Sequence, residues 1–286
     1  MQRPIRIITH SLMTGVGPLR VAQPLPVHAL RNVDPFILLH HAGPQTFEAG
    51  GAVHRIDPHP HRGFEPVSFV YKGSVLHRDS LGNEGTINAG EVQWITSGSG
   101  IIHSEGPTAA LQEAGGELEM IQLWVNLPAG KKMMTPAYQE LHRDHMIRLD
   151  VLNGSLDLDL VSGSYMGHVG PATTQSPVLT AMGHFRPGPT ATLAAPAYEN
   201  LAIYVLNGQL RINGDHVVER HSLAVFESIG DTIEIEALTE GSLLLLGGQP
   251  LGEPVAMYGP FVMNTEEQLH EALHDYSIGK FGVLEH

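Results

Sequence analysis

The sequence predicts an all-β protein: two tandem jelly-roll-like β-barrels followed by a short C-terminal α-helix. Three observations carry that prediction. The chain of 286 residues holds 32 glycines and 20 prolines with only 16% charged residues, a composition suited to short strands joined by tight turns. Its apolar runs are brief and are interrupted by glycine-containing turns every ~8–12 residues, the spacing of sandwiches and barrels. One stretch of the first half also recurs in the second.

The strands follow in order. Pro66-Val-Ser-Phe-Val-Tyr71 reads as a strand, Lys72-Gly73 turns the chain, and Ser74-Val-Leu-His-Arg78 resumes it. Leu81-Gly-Asn-Glu-Gly85 is a second turn, and Glu91-Val-Gln-Trp-Ile-Thr96 is another strand. The segment Leu201 to Leu210 repeats Pro66 to Val75 at an offset of 135 residues, placing Tyr204 on Phe69 and Gly208 on Gly73. Between the copies lies the Pro/Gly connector Leu127 to Pro136, so the expected domains are residues 1–135 and 136–286. In the second domain Thr265 and Gln268 form a capping box, Leu269, Ala272, Leu273 and Tyr276 share a face, and Gly279 stops the helix.

Charge and composition exclude several functions. A formal net charge of −14 opposes direct nucleic-acid binding, which needs clustered cations to displace counterions. The lysines are Lys72, Lys131, Lys132 and Lys280, two of them in the connector. With no cysteine there is no disulfide framework, thiolate nucleophile or Cys-ligated metal. No leader-like run opens the sequence and no run approaches the ~20 apolar residues of a membrane span, so a cytoplasmic, non-membrane protein is expected.

The chemistry concentrates in two short motifs. In His59-Pro-His61-Arg-Gly-Phe64 the two histidines stand at i and i+2, so on a strand they face the same side. Ile101-Ile-His103-Ser-Glu105 repeats the spacing with a histidine and a carboxylate. Antiparallel neighbours would gather three imidazoles and one carboxylate around one point, a donor set suited to Fe(II), Mn, Ni, Cu or Zn. His77, Asp79, Gln93, Arg62 and Glu65 are the polar residues nearest in sequence to orient such ligands.

Other motifs carry less. His270-Glu-Ala-Leu-His274 matches the zinc-protease pattern, but Ser277 and Lys280 stand where an extended motif wants glycine and histidine. Ser97-Gly-Ser-Gly100 reads as a turn between strands rather than a phosphate loop. Under the 135-residue offset, His59, His61 and His103 fall on Ala194, Pro196 and Leu238, and only Glu105 meets a carboxylate, Glu240. The second barrel is therefore expected to lack the metal, with His184 and His216 as ordinary rim residues.

These motifs, with His77 to Gly85, Val92-Gln-Trp94, Gln122 to Pro128 and Tyr258-Gly-Pro-Phe-Val-Met-Asn264, closely resemble the pirin family. The resemblance implies a bicupin with metal in the N-terminal barrel alone, held by His59, His61, His103 and Glu105. Iron, as Fe(II), is the metal it implies, with Mn, Ni, Cu, Co or Zn as alternatives. It implies one of two functions. The first is a quercetin/flavonol 2,3-dioxygenase acting on an aromatic enediol, with Glu105 also accepting the flavonol hydroxyl proton and Arg62, Phe64 and Trp94 lining the mouth. The second is a non-enzymatic, iron-dependent redox sensor that binds a transcription factor or metabolic enzyme. A monomer is expected, because two fused barrels already supply the pairing that single cupins reach by dimerising.

Overall fold

The computed structural model describes residues 1–284 apart from 18, 52–54 and 153. Its strands divide into two copies of one plan. In the first, a seven-stranded sheet has the order Ala137–Leu141, Val92–Thr96, Phe64–Lys72, Gly116–Asn126, Phe36–Phe47, Leu19–Leu25, Leu12–Val16. It is accompanied by a four-stranded sheet ordered Ile56–His61, Ile101–Pro107, Ser74–Asp79, Glu84–Asn88. The second copy has seven strands in the order Ile5–His10, Ser222–Phe226, Asn200–Asn207, Gly241–Gly248, Val178–Phe185, Leu156–Ser162, Ile147–Asp150. Its four-stranded sheet runs Ala191–Ala194, Thr232–Ala237, Gln209–Ile212, His216–Glu219. The all-β expectation and the internal repeat both hold.

Period-two alternation decides which residues enter each core. Ser74–Asp79 alternates intermediate and buried residues, turning Val75, His77 and Asp79 inward. The first barrel's apolar core includes Leu19, Val21, Val70, Val75, Ile87, Leu118 and Met120. That of the second is mainly aliphatic, with Leu158, Leu160, Ile203, Leu210, Ile233, Ile235 and Leu245 among its members.

The chain is apportioned between the two units differently from the expected cut at 135. One unit comprises Met1–Leu12, Ala22–Ile37 and Asp144–Pro250; the other comprises Met13–Val21, Leu38–Arg143 and Leu251–His286. Two pairings explain the difference. Ala137–Leu141 hydrogen-bonds along Val92–Thr96, so it belongs with the first barrel, whereas Ile5–His10 pairs with Ser222–Phe226 of the second. Composition marks a connector but says nothing of which sheet edge a strand will join.

The C-terminal helix, Glu266–Ser277, has the expected capping box from Thr265 and Gln268, and Gly279 follows at φ +79°. It belongs with the first barrel rather than the second. Its buried face is Leu269, Ala272 and Asp275; Leu273 and Tyr276, expected on that face, are exposed. Among the described residues, no helix is long and apolar enough to cross a membrane.

Candidate metal centre

Pro58 and Pro60 alternate with His59 and His61 on the short strand Ile56–His61, so both imidazoles project to one side. His103 lies directly opposite His59 in the antiparallel ladder with Ile101–Pro107. The ring centroids are 4.3 Å apart for His59 and His103, 4.8 Å for His61 and His103, and 4.8 Å for His59 and His61. One nitrogen from each ring falls within 4.8 Å of the other two.

The hydrogen-bond pattern leaves these nitrogens available. Nδ1 of His59 lies 2.9 Å from the Asp57 carbonyl, and Nδ1 of His61 lies 3.4 Å from the Pro260 carbonyl. A carbonyl oxygen only accepts, so each Nδ1 carries the hydrogen and each Nε2 keeps a lone pair. Nε2 of His61 and both ring nitrogens of His103 are buried with no protein partner. Such orphans are costly in a finished interior and mark a place for a further ligand. Burial, then the field of His59, holds His61 well below the usual imidazole range; burial, then His59, His61 and His77, does the same for His103. Neutral rings are the ligating form, so the residues present fit a divalent metal.

Glu105 faces inward two residues beyond His103, past a register shift against Ile56–His61. Its Oε2 accepts hydrogen bonds from Gln93 Nε2 at 3.0 Å and Ser68 Oγ at 3.5 Å, and its Oε1 accepts from Gln122 Nε2. Among the described residues the three histidines form the tight cluster, while Glu105 is held beside it by two amides and a hydroxyl. Glu105 and Gln122 also line a cavity with about 470 Å³ of non-atom space, including its solvent-open part. Its walls are otherwise mainly apolar, including Leu19, Val21, Ile56 and Met120, with His40 held neutral by burial, its pKa pushed down to about 4.

The family model for pirin matches residues 18–125, and that for the pirin C-terminal cupin domain matches residues 181–282. A provisionally named quercetin 2,3-dioxygenase of Pseudomonas aeruginosa is 39% identical over 88% of this chain and 87% of its own length. The chain belongs to the pirin family. Human pirin is 33% identical over 97% of this chain and 93% of its own. The crystal structure of quercetin 2,3-dioxygenase from Acinetobacter baumannii matches with a TM-score of 0.93 at 34% identity, covering 100% of both chains. The two barrels are accordingly cupins.

Several residues in this pirin take roles other than those expected. Gln93 reaches Glu105, so strand alternation turns its neighbour Trp94 the other way, into the core with no exposed surface. The tryptophan beside the centre is Trp124, whose ring lies 5.4 Å from His61 and 4.2 Å from Phe64. Phe64 is fully buried against His61 rather than at a mouth. Arg62 is also buried, bonded to the Ser99 carbonyl at 2.7 Å and Asp275 at 2.9 Å. Glu65 accepts a hydrogen bond from Thr96 at 2.8 Å. Sequence reasoning missed Gln122 and Trp124 as site residues; their signal is alternation along Gly116–Asn126.

His77 does face the centre. It pairs across the ladder with Glu105, lies 5.6 Å from His103 and stacks on Tyr138 at 4.6 Å. Its Nε2 donates to Asp79 at 3.1 Å, and Asp79 also accepts from Leu81 and Asn83. Burial would raise the Asp79 pKa, but the bonds from His77 and Asn83 outweigh it and hold the carboxyl below its usual range.

Among the described residues, the second barrel carries no matching donors at the corresponding positions. Leu210 pairs with Ala237 as Val75 pairs with Pro107, which shortens the repeat offset to 130 residues in this strand. Leu193 then stands opposite Ile233 where His59 stands opposite His103, and Ile235 replaces Glu105. A uniform offset of 135 misplaces these counterparts on Ala194, Pro196, Leu238 and Glu240, of which Glu240 is merely an exposed residue. The exposed His184 and His216 lie on other strands, Val178–Phe185 and His216–Glu219.

Proposed function

We propose that this pirin is a metal-dependent dioxygenase that opens a flavonol-type aromatic enediol, with Fe(II) held by His59, His61, His103 and Glu105. The observation that carries the reading is the set of imidazole nitrogens within 4.8 Å, with those of His61 and His103 buried and unpartnered. The likeness to proteins named as quercetin 2,3-dioxygenases supports the substrate class. When bound, a divalent metal supplies Lewis acidity and redox capacity toward an electron-rich enediol and dioxygen.

The chain supplies orientation and proton transfer. The Asp57 and Pro260 carbonyls fix the ring faces of His59 and His61. Glu105 accepts the flavonol hydroxyl proton at a carboxylate oxygen, while Gln93 and Gln122 keep the carboxylate in place. The apolar cavity walls beside Glu105 shed water from an aromatic ring.

The test combines elemental analysis of protein purified without chelators with an oxygen electrode trace on quercetin, using His103→Ala alongside. The reading expects about one iron per chain, absent from the variant, and iron-dependent O₂ uptake with release of carbon monoxide. Metal without uptake would replace it with a non-enzymatic, metal-binding role. No stoichiometric metal after reconstitution would remove the site itself.

A further inference from the structure

The carbonyl that orients His61 comes from Pro260, 199 residues further along the chain. That carbonyl is held in place by a set of contacts at the C-terminal segment. Arg62 and Phe261 form a parallel bridge, with Val262 N–H donating to the Arg62 carbonyl at 3.0 Å. The Arg62 guanidinium donates to Asp275, and Lys280 Nζ binds the other oxygen of that carboxylate at 2.6 Å. The same guanidinium lies 4.7 Å from the ring centre of Phe281, whose carbonyl accepts from Ser80 at 2.7 Å. Lys132 Nζ ties the Gly63 and Val262 carbonyls together at 2.8 and 3.1 Å.

The glycines beneath this segment leave room for nothing else. A Cβ at Gly63 would stand 2.0 Å from the Val262 carbonyl oxygen, and one at Gly100 would stand 2.5 Å from the Phe281 ring. Phe261, Met263, Leu269, Ala272 and Phe281 form one apolar cluster, with Ile102 packed against it. Ile102 is the residue immediately before His103.

We propose that the C-terminal segment is a positioning element of the metal centre: by docking through Arg62, Asp275 and Phe281 it presents the Pro260 carbonyl that fixes His61 as an Nε2 ligand. The inference rests on the metal-binding reading above. Without the carbonyl, the His61 hydrogen is free to reside on either nitrogen and the ring is free to turn about its side-chain torsions. Part of the binding free energy is then spent on ordering it. His59 does not share this dependence, because its carbonyl partner, Asp57, is on its own strand.

The full-length double variant Asp275→Asn/Phe281→Ala tests the inference, with Leu273→Asn on the exposed helix face as control. Three quantities are read: Co(II) affinity by competition, amide exchange over residues 255–284, and the ¹⁵N shifts of His61 in metal-free protein. Wild type should show His61 as the Nδ1–H tautomer. The double variant should exchange faster across the segment, show a mixed tautomer and bind Co(II) ~10–100-fold more weakly; the control should match wild type. An Nε2–H tautomer in metal-free wild type overturns the inference without any variant. Faster exchange with unchanged Co(II) affinity also overturns it, as does a segment equally protected in the double variant. Failure of wild type itself to bind Co(II) would instead remove the metal-centre reading, and this inference with it.

Discussion

Lys132 gives the first barrel a stability signature that rises with pH. Lys132 is 1% exposed, and its ammonium group donates to three acceptors, Asn126 Oδ1 and the carbonyls of Gly63 and Val262. Burial pushes its pKa down from the usual 10.5 to about 8, against the opposing field of Glu253. Between those values the unfolded chain keeps a proton that the folded chain has released. The unfolded state therefore binds more protons, and stability climbs with pH. At 1.36 kcal/mol per pK unit the full gap is worth about 3 kcal/mol, of which about 2 kcal/mol develops between about pH 7 and 9.5. Burial raises Tyr138 and Tyr165 instead, so folded tyrosines hold their protons longer and erode stability above about pH 10. The useful window ends before that. Both tryptophans, Trp94 and Trp124, lie in the same barrel as Lys132, so their fluorescence reports its unfolding. Urea midpoints measured this way should rise across the window in wild type and stay nearly level in Lys132→Met. A level wild-type profile, or an equal rise in both proteins, would refute the charge-burial reasoning.

Three further outcomes are expected. Gly63→Ala should lower stability by about 2–4 kcal/mol in the same fluorescence assay, because φ is +86° and the new methyl meets the Val262 oxygen. Thr265→Ala should cost about 1 kcal/mol by removing the helix cap, seen as faster amide exchange over the first turn of Glu266–Ser277. Chelator-treated protein should melt lower than metal-loaded protein; free metal at ~100 times its Kd corresponds to ~2.7 kcal/mol, and His103→Ala should show no such response.

The histidine cluster was legible because a strand gives the sequence a rigid code: i and i+2 share a face, so His59 with His61 and His103 with Glu105 could be paired before any coordinate existed. The same code, carried one strand further, would have chosen Trp124 over Trp94, because Gln93 and Trp94 necessarily face opposite ways. Asp275 was not legible. It occupies a buried helical position where apolar spacing suggests Leu273 or Tyr276, and its partner Arg62 is 213 residues away. A hydrophobic pattern detects the face a helix buries in oil-like surroundings; it is blind to a face completed by an ion pair. The repeat was legible as a rhythm but not as a register, since the chain between the equivalent strands is shorter by five residues in all, four of them in one hairpin, and this moved the counterparts of His103 and Glu105.

The interleaving of the two units also bears on how the chain is made. Synthesis releases Ile5–His10 well before its partner, Ser222–Phe226, with His10 and Ser222 separated by 212 positions. Until then the strand is an unpaired edge, the kind of backbone that other chains can capture. The first cupin is in the opposite position. Its histidines emerge well before the Pro260 carbonyl and the helix carrying Asp275, which follow His61 and Arg62 by 199 and 213 residues. When synthesis has reached Arg143, the strands of the second barrel from Asp144 onward are still to come. The first barrel, although all eleven strands of its two sheets lie within Leu12–Leu141, still lacks its C-terminal segment. Such long-range closure is slow and exposed to aggregation. If the Pro260 carbonyl orients His61 as proposed, that side chain is fixed only after a further 199 residues have been made.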